Sequence, residues 1–269
     1  MTRIDIEHRT FEVPDCMNEM TVPQLVFLSE LISEVVPVQA VKVKMLIFCI
    51  GGRVKPMKNP EFHRLQVGRD VFAITTDEIV QASAAFDYLY TMPDEDGNCF
   101  LDNRLTMPPV PFIRSGRIKL HAPGEALTEC TYNQYIYLQT YDVMKDKNPV
   151  ALYNFLGCMF RRDLNRFNPE DLNIRTMKKI KSEQVVLMMW YWIGSCRYIA
   201  DKFPRIFQSD DAEPAEGNPY DGQQRLLDFM TRADAAKKEE YKRMKLYDVL
   251  FSLDYLLEQE EAKREALNK

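Results

Sequence analysis

The chain has 269 residues, of which 46% are hydrophobic and 28% charged, and a formal net charge of −5. This is a globular composition with length for one or two domains, which excludes a low-complexity chain, and the acidic balance argues against a dedicated nucleic-acid binder, whose affinity comes largely from neutralised phosphates. Only 10 glycines argue against a turn-rich sandwich or barrel, while 13 Tyr, 15 Phe and 14 Met suit either interiors or contact surfaces.

Residues 1–20 read as an arm or an initial strand, and MTRIDIEHRT lacks the apolar stretch of a secretory signal. Thr21-x-x-Gln24 is a capping box with Pro23 in the first turn, so a helix is expected through Leu25, Leu28 and Ile32 until Pro37. VQAVKVKMLIFCI (38–50) predicts a second helix that stops at Gly51-Gly52. FHRLQVGRDVFAITTDEI predicts two short strands about Gly68. Thr75-x-x-Glu78 then caps a helix through Ile79, Ala82, Phe86 and Leu89. Residues 92–127, rich in Pro and Gly, predict a long irregular region, within which FIRSGRIKLH reads as a hairpin turning at Ser115-Gly116.

From 128 onward the periodicity is helical. Thr131-x-x-Gln134 opens TYNQYIYLQTYDVMKD, Pro149 opens PVALYNFLGCMFRR, and Asn168-Pro169-Glu170-Asp171 predicts a further helix start. A long helix is expected from Thr176 to Lys202, ended by Pro204. Its apolar run VVLMMWYWIGSC (185–196) is too short to span a bilayer. Trp190 and Trp192 stand about 200° apart around that helix, so hiding both requires packing on two sides. The stretch QSDDAEPAEGNPYDG (208–222) has five acids and no base and reads as a solvated linker. A short helix at 223–231 and a final helix at 245–266 complete the pattern. The expected fold is mainly α-helical, with an α+β N-terminal region (1–127) containing a few short strands. A helical domain (128–207), the acidic linker (208–222) and C-terminal helices (223–269) follow.

Catalytic signals are weak. The six cysteines lie no closer than 28 residues apart, which gives no C-x-x-C pair and suits reduced thiols in a cytosolic compartment. His8, His63 and His121 have no local cysteine partner for a nucleophile pair. Asp94-Glu95-Asp96-Gly97-Asn98 fails the calcium-loop spacing, and Gly51-Gly52-Arg53 lacks the Lys-Ser/Thr of a phosphate loop. No enzyme activity, metal or cofactor is expected.

Two features point to contact surfaces. Residues 161–181 carry seven bases against three acids: Arg161, Arg162, Arg166, Arg175, Lys178, Lys179 and Lys181. They read as a solvated turn, a phosphate contact, or a dock for an acidic segment. On the helix after Thr131, Tyr132, Tyr135, Ile136 and Val143 share one face, and Tyr137, Tyr141 and Met144 the opposite one. On the last helix Leu246, Val249, Leu250, Leu253, Leu256 and Leu257 form a core stripe, and Tyr247, Phe251 and Tyr255 line a second. Such second faces are either buried on both sides or hold another chain. Base stacking is the weakest reading, because Lys and Arg do not interleave with these rings.

LTECTYNQYIYLQTYDVM, LYNFLGCMFRR with the following Phe167-Asn168, YWIGSCRYIADKFPRIF and MKLYDVLFSLDYLLEQEE, in that order, resemble phage and prophage proteins encoded beside tail genes. The resemblance covers roughly residues 127–257. It implies a tail-assembly chaperone, a non-enzymatic protein of the host cytoplasm. Such a chaperone shields apolar helices of a tape-measure-type protein, with Tyr137, Tyr141, Met144, Tyr247, Phe251 and Tyr255 as partner-binding positions. The alternative is a structural virion component such as a neck, connector or tail-completion protein. A nucleic-acid-binding regulator has less support.

Overall fold

The computed structural model describes residues 1–34, 36–59, 61–146, 148–207 and 219–267. The chain forms two compact units, Met1–Leu105 and Thr106–Lys269, which divide earlier than the expected boundary at 127/128. The fold is mainly α-helical, with an α+β N-terminal part and a helical C-terminal part. Most of the expected acidic linker, 208–218, lies outside the described residues.

In the first unit the expected arm is an antiparallel hairpin of β1 (Thr2–Ile6) and β2 (Arg9–Val13). Helix α1 (Val22–Ser33) starts on its capping box, in which the Thr21 amide donates to Gln24 Oε1 at 2.7 Å. Helix α2 (Val38–Cys49) ends as Gly51 turns left-handed at φ +65. The next residue opens a strand that the sequence reading missed, because the glycine pair read only as a stop. A Cβ at Gly52 would lie 3.1 Å from Leu65 Cδ1, so the backbone approaches closely there. The strand, β3 (Gly52–Pro56), is an edge of a three-stranded antiparallel sheet ordered β3-β4-β5, with β4 (Phe62–Val67) and β5 (Asp70–Thr75). Helix α3 (Thr76–Ser83) opens with the Thr75 amide donating to Glu78 Oε2 at 2.8 Å. The expected α-helix to Leu89 tightens into 3₁₀ geometry over Ala84–Leu89, which puts Phe86 and Leu89 in the core. Leu25, Leu28, Val41, Met45, Leu46 and Leu65 complete this core.

In the second unit β6 (Phe112–Ser115) pairs with β7 (Ile118–His121). Ser115 faces Ile118, so the turn is Gly116-Arg117, one residue later than expected. Gly116 has φ +61, the sign that the first central position of a type II′ turn requires. The helices are α4 (Tyr132–Met144), α5 (Pro149–Met159), α6 (Ile174–Met177), α7 (Ser182–Lys202), α8 (Pro204–Phe207), α9 (Pro219–Thr231), α10 (Ala235–Arg243) and α11 (Leu246–Leu267).

Three expectations here are corrected. No helix starts at 168–171: Asn168 Oδ1 accepts from the Glu170 amide at 3.0 Å, a local turn that competes with helix. The expected long helix is split into α6 and α7. Helix α9 begins at Pro219, inside the expected linker, and α10 was not foreseen because AAKKEEYKR has no apolar stripe. Asp234 caps α10, accepting from the amides of Ala236 and Lys237.

The core joins Tyr132, Tyr135, Ile136 and Leu138 of α4 to Phe155 and Leu156 of α5, Leu187, Tyr191 and Trp192 of α7, and Leu246, Val249, Leu250 and Leu253 of α11. Trp192 is 3% exposed, with its ring centroid 5.8 Å from that of Tyr135 and 5.5 Å from that of Phe155. Trp190 is half-buried, so α7 hides one indole fully and the other in part. Among the described residues no helix is long and apolar enough to cross a membrane.

Candidate functional site

Most tyrosines of α4 and α11 are engaged within the chain. Tyr137 meets Phe167, Tyr141 and Tyr220 of α9 at centroid distances of 5.3, 6.1 and 6.1 Å. Burial raises the pKa of both Tyr137 and Tyr141. On the opposite face the Tyr132 hydroxyl donates to Gln223 Oε1 at 2.5 Å, and Gln223 in turn donates to Gln139. Helix α9 therefore lies on α4 where a client was expected.

On α11 the Tyr247 hydroxyl donates to the Ala126 carbonyl at 2.9 Å. That carbonyl belongs to a buried segment in which Ala126 and Leu127 both take positive φ, a conformation costly for non-glycine residues. Tyr191 of α7 anchors the same segment through the Gly124 carbonyl. Tyr247 is thus a clamp on strained backbone. Phe251 packs edge-on against Phe203 and, with Tyr255 and Met144, stays exposed. Tyr137 with Tyr141, and Tyr247 with Phe251 about Phe203, fall in two separate aromatic clusters, Met144 and Tyr255 lie exposed outside them, and the six positions do not form one surface.

The basic cluster also divides. Arg161 is buried, and its guanidinium donates to the carbonyls of Asp171, Asn168 and Arg166 at 3.0, 3.4 and 3.4 Å while lying on the Phe167 ring. Desolvation lowers its pKa, and its role is to tie down the 163–173 loop. Lys178 lies over Tyr153 and Lys181 pairs with Glu183. Arg162 is exposed. Arg166 lines one hollow with Lys242 and Arg243, whereas Arg175 and Lys179 line another.

A concave apolar surface lies in the first unit, which the sequence reading left without a site. Helices α1 and α2, strand β3 and helix α3 enclose an apolar cleft of about 670 Å³. Its walls include Phe27 and Leu31 of α1, Ile47 and Phe48 of α2, Val54 of β3 and Val80 of α3. Phe27 and Phe48 stack at 4.4 Å with an interplanar angle of 16°. Phe48, Val54 and Val80 are 40%, 38% and 38% exposed, so these walls face solvent. Sequence periodicity explains the shape. Leu25, Leu28 and Leu31 turn to the core while Phe27 sits a third of a turn away, so α1 is apolar on more than one side. On β4 the two-residue alternation puts His63 on the same side as Leu65 and Val67, at the cleft wall.

Polar groups in the cleft are few. His63 Nε2 and Thr76 Oγ1 lie 2.9 Å apart, and Glu30, Glu34 and Lys44 stand at its edge. No thiol lines it. Burial pushes Cys49 up to about 11 and also raises Cys130, Cys158 and Cys196, so these four are poor nucleophiles at neutral pH. The one metal-like cluster among the described residues, Asp15, Cys16 and Glu19, is at the exposed surface. The N-terminal ammonium donates to both of its carboxylates. Compared with family models, curated proteins and solved structures, the chain finds no match.

Proposed function

We propose that this protein is a non-enzymatic accessory of virion-tail assembly, a chaperone that holds an apolar helical segment of a tape-measure-type protein. The cleft of α1, α2, β3 and α3 is the observation that carries the reading. An amphipathic helix is recognised by a groove that takes its apolar face at i, i+3, i+4 and i+7. Stacked Phe27 and Phe48 with Leu31, Ile47, Val54 and Val80 supply such walls, and few polar groups converge there to do chemistry. Glu30 on α1 and Glu34 at its C-terminal cap favour a client with a basic flank. The client surface so assigned differs from the tyrosine faces of α4 and α11, which the chain largely uses itself.

The test is binding of a fluorescently labelled apolar-faced helical peptide, measured by anisotropy. Val80→Asp alters an exposed wall position and is expected to melt as the parent does, while Phe48→Asp also loses the stack on Phe27 and is expected to melt slightly lower but cooperatively. Each is expected to weaken binding by about tenfold or more. Equal binding by parent and both variants overturns the cleft assignment. Stoichiometric retention of the protein in purified virions overturns the chaperone role in favour of a structural component.

A further inference from the structure

We propose that the hollow between the β6–β7 hairpin and the α6–α7 turn binds a phosphate ester. The hollow has a volume of about 470 Å³, within the range of small-molecule sites. Three cations line it: Arg114 from the hairpin, Arg175 from α6 and Lys179 from the turn before α7. No carboxylate lines it, and none of the three makes an ion pair among the described residues. Three neighbouring cations have partners, Lys178 over Tyr153, Lys181 by Glu183 and Lys119 over the Phe112 ring.

The hairpin adds a second argument. Arg114 is directly opposite Lys119 in the strand register, and like charges so placed repel. A bound anion offsets that repulsion. Ser115 Oγ and Thr176 Oγ1 lie 2.7 Å apart and join the hairpin to α6 at the hollow's wall, a bond that leaves one hydroxyl proton to donate, on the face of β6 opposite Arg114. Three positive charges with no ion pair among the described residues, and a hydroxyl, match a phosphomonoester, which carries nearly two charges and three acceptor oxygens. A single carboxylate brings half that charge. Ile113 and Ile180 give an apolar wall for the ester's organic part. The chain's net charge of −5 opposes a long polynucleotide, so a small ester is the occupant assigned.

Titration calorimetry at about 50 mM salt tests this on the full chain with pyrophosphate, AMP, citrate and an oligothymidylate of about 20 nucleotides. Pyrophosphate and AMP are expected to bind, and citrate more weakly. Arg175→Ala with Lys179→Ala is expected to weaken AMP binding by about tenfold or more, and Arg114→Gln by a smaller factor. All three side chains are exposed, so the fold is expected to survive, and Lys237→Ala on α10 should bind as the parent does. The proposal is overturned if neither phosphate binds, if Lys237→Ala weakens binding as much, or if citrate equals pyrophosphate. It is also overturned if only the oligonucleotide binds.

Discussion

The aromatic helices of the second unit and the cleft of the first unit invert what their compositions advertise. Helices α4 and α11 carry the conspicuous tyrosines, yet α9, Phe203 and the strained backbone at Ala126 occupy most of them. Helices α1 and α2 carry ordinary aliphatic residues with two phenylalanines, yet these line an unfilled apolar cleft. A tyrosine has an apolar body and a hydroxyl that needs a partner when buried, so a tyrosine-rich face is well suited to internal seams where backbone carbonyls must be satisfied. A surface left for a client is better marked by apolar side chains without internal cover.

The largest test of this contrast uses two glycines. A Cβ at Gly157 of α5 would lie 2.3 Å from the Leu172 carbonyl oxygen, which is backbone in a filled interior. Gly157→Ala is expected to cost about 3 kcal/mol or more in urea unfolding. At Gly52 the nearest atom, at 3.1 Å, is the end of the Leu65 side chain, which needs to shift by only a few tenths of an ångström. Gly52→Ala is expected to cost about 1 kcal/mol. Equal costs would erase the distinction between a filled and a yielding unit.

A smaller effect separates two neighbours on α11. Tyr247→Phe removes the hydroxyl that reaches the Ala126 carbonyl, and should cost about 1–2 kcal/mol by chemical denaturation. Phe251→Asp changes a side chain that is 54% exposed and lies near Lys202, and should cost less than about 1 kcal/mol. The reverse order would mean that Phe251 is core and Tyr247 idle.

Local signals were legible wherever the chemistry is local. The capping boxes at Thr21 and Thr75, the cap at Thr131 and the hairpin about Gly116 all appear in the fold, because each depends on residues within a few positions. What failed depended on distant contacts. Arg161 read as a surface cation, yet it is buried where it collects three carbonyls of a loop that has no helix to satisfy them. The cleft was invisible because α1, α2, β3 and α3 each look like ordinary core elements, and only their packing leaves the space. Helix α10 could be found only from its Asp234 cap, since its faces are polar all round.

The smallest test compares two caps that hold cleft helices. Helix α3 is closed by Glu78, whose carboxylate accepts from the Thr75 amide and hydroxyl. The backbone hydrogen bond, the larger cause, and the hydroxyl bond together hold its pKa below the usual glutamate value of 4.5. A depressed pKa means that the folded state favours the charged form. The stabilisation is therefore complete above about 4.5 and is lost as pH falls through the lower folded value. Helix α1 has the same box with Gln24, which accepts from Thr21 without titrating. Glu78→Gln gives α3 the cap of α1: the hydrogen bonds can persist, but the negative charge at the helix N-terminus is gone. Melting temperatures of parent and variant should differ slightly at neutral pH and converge as the buffer is taken to about pH 3. The Thr21 box should contribute equally throughout. A difference that stays constant across that range would show that the charge of Glu78 plays no part and that the two caps are equivalent.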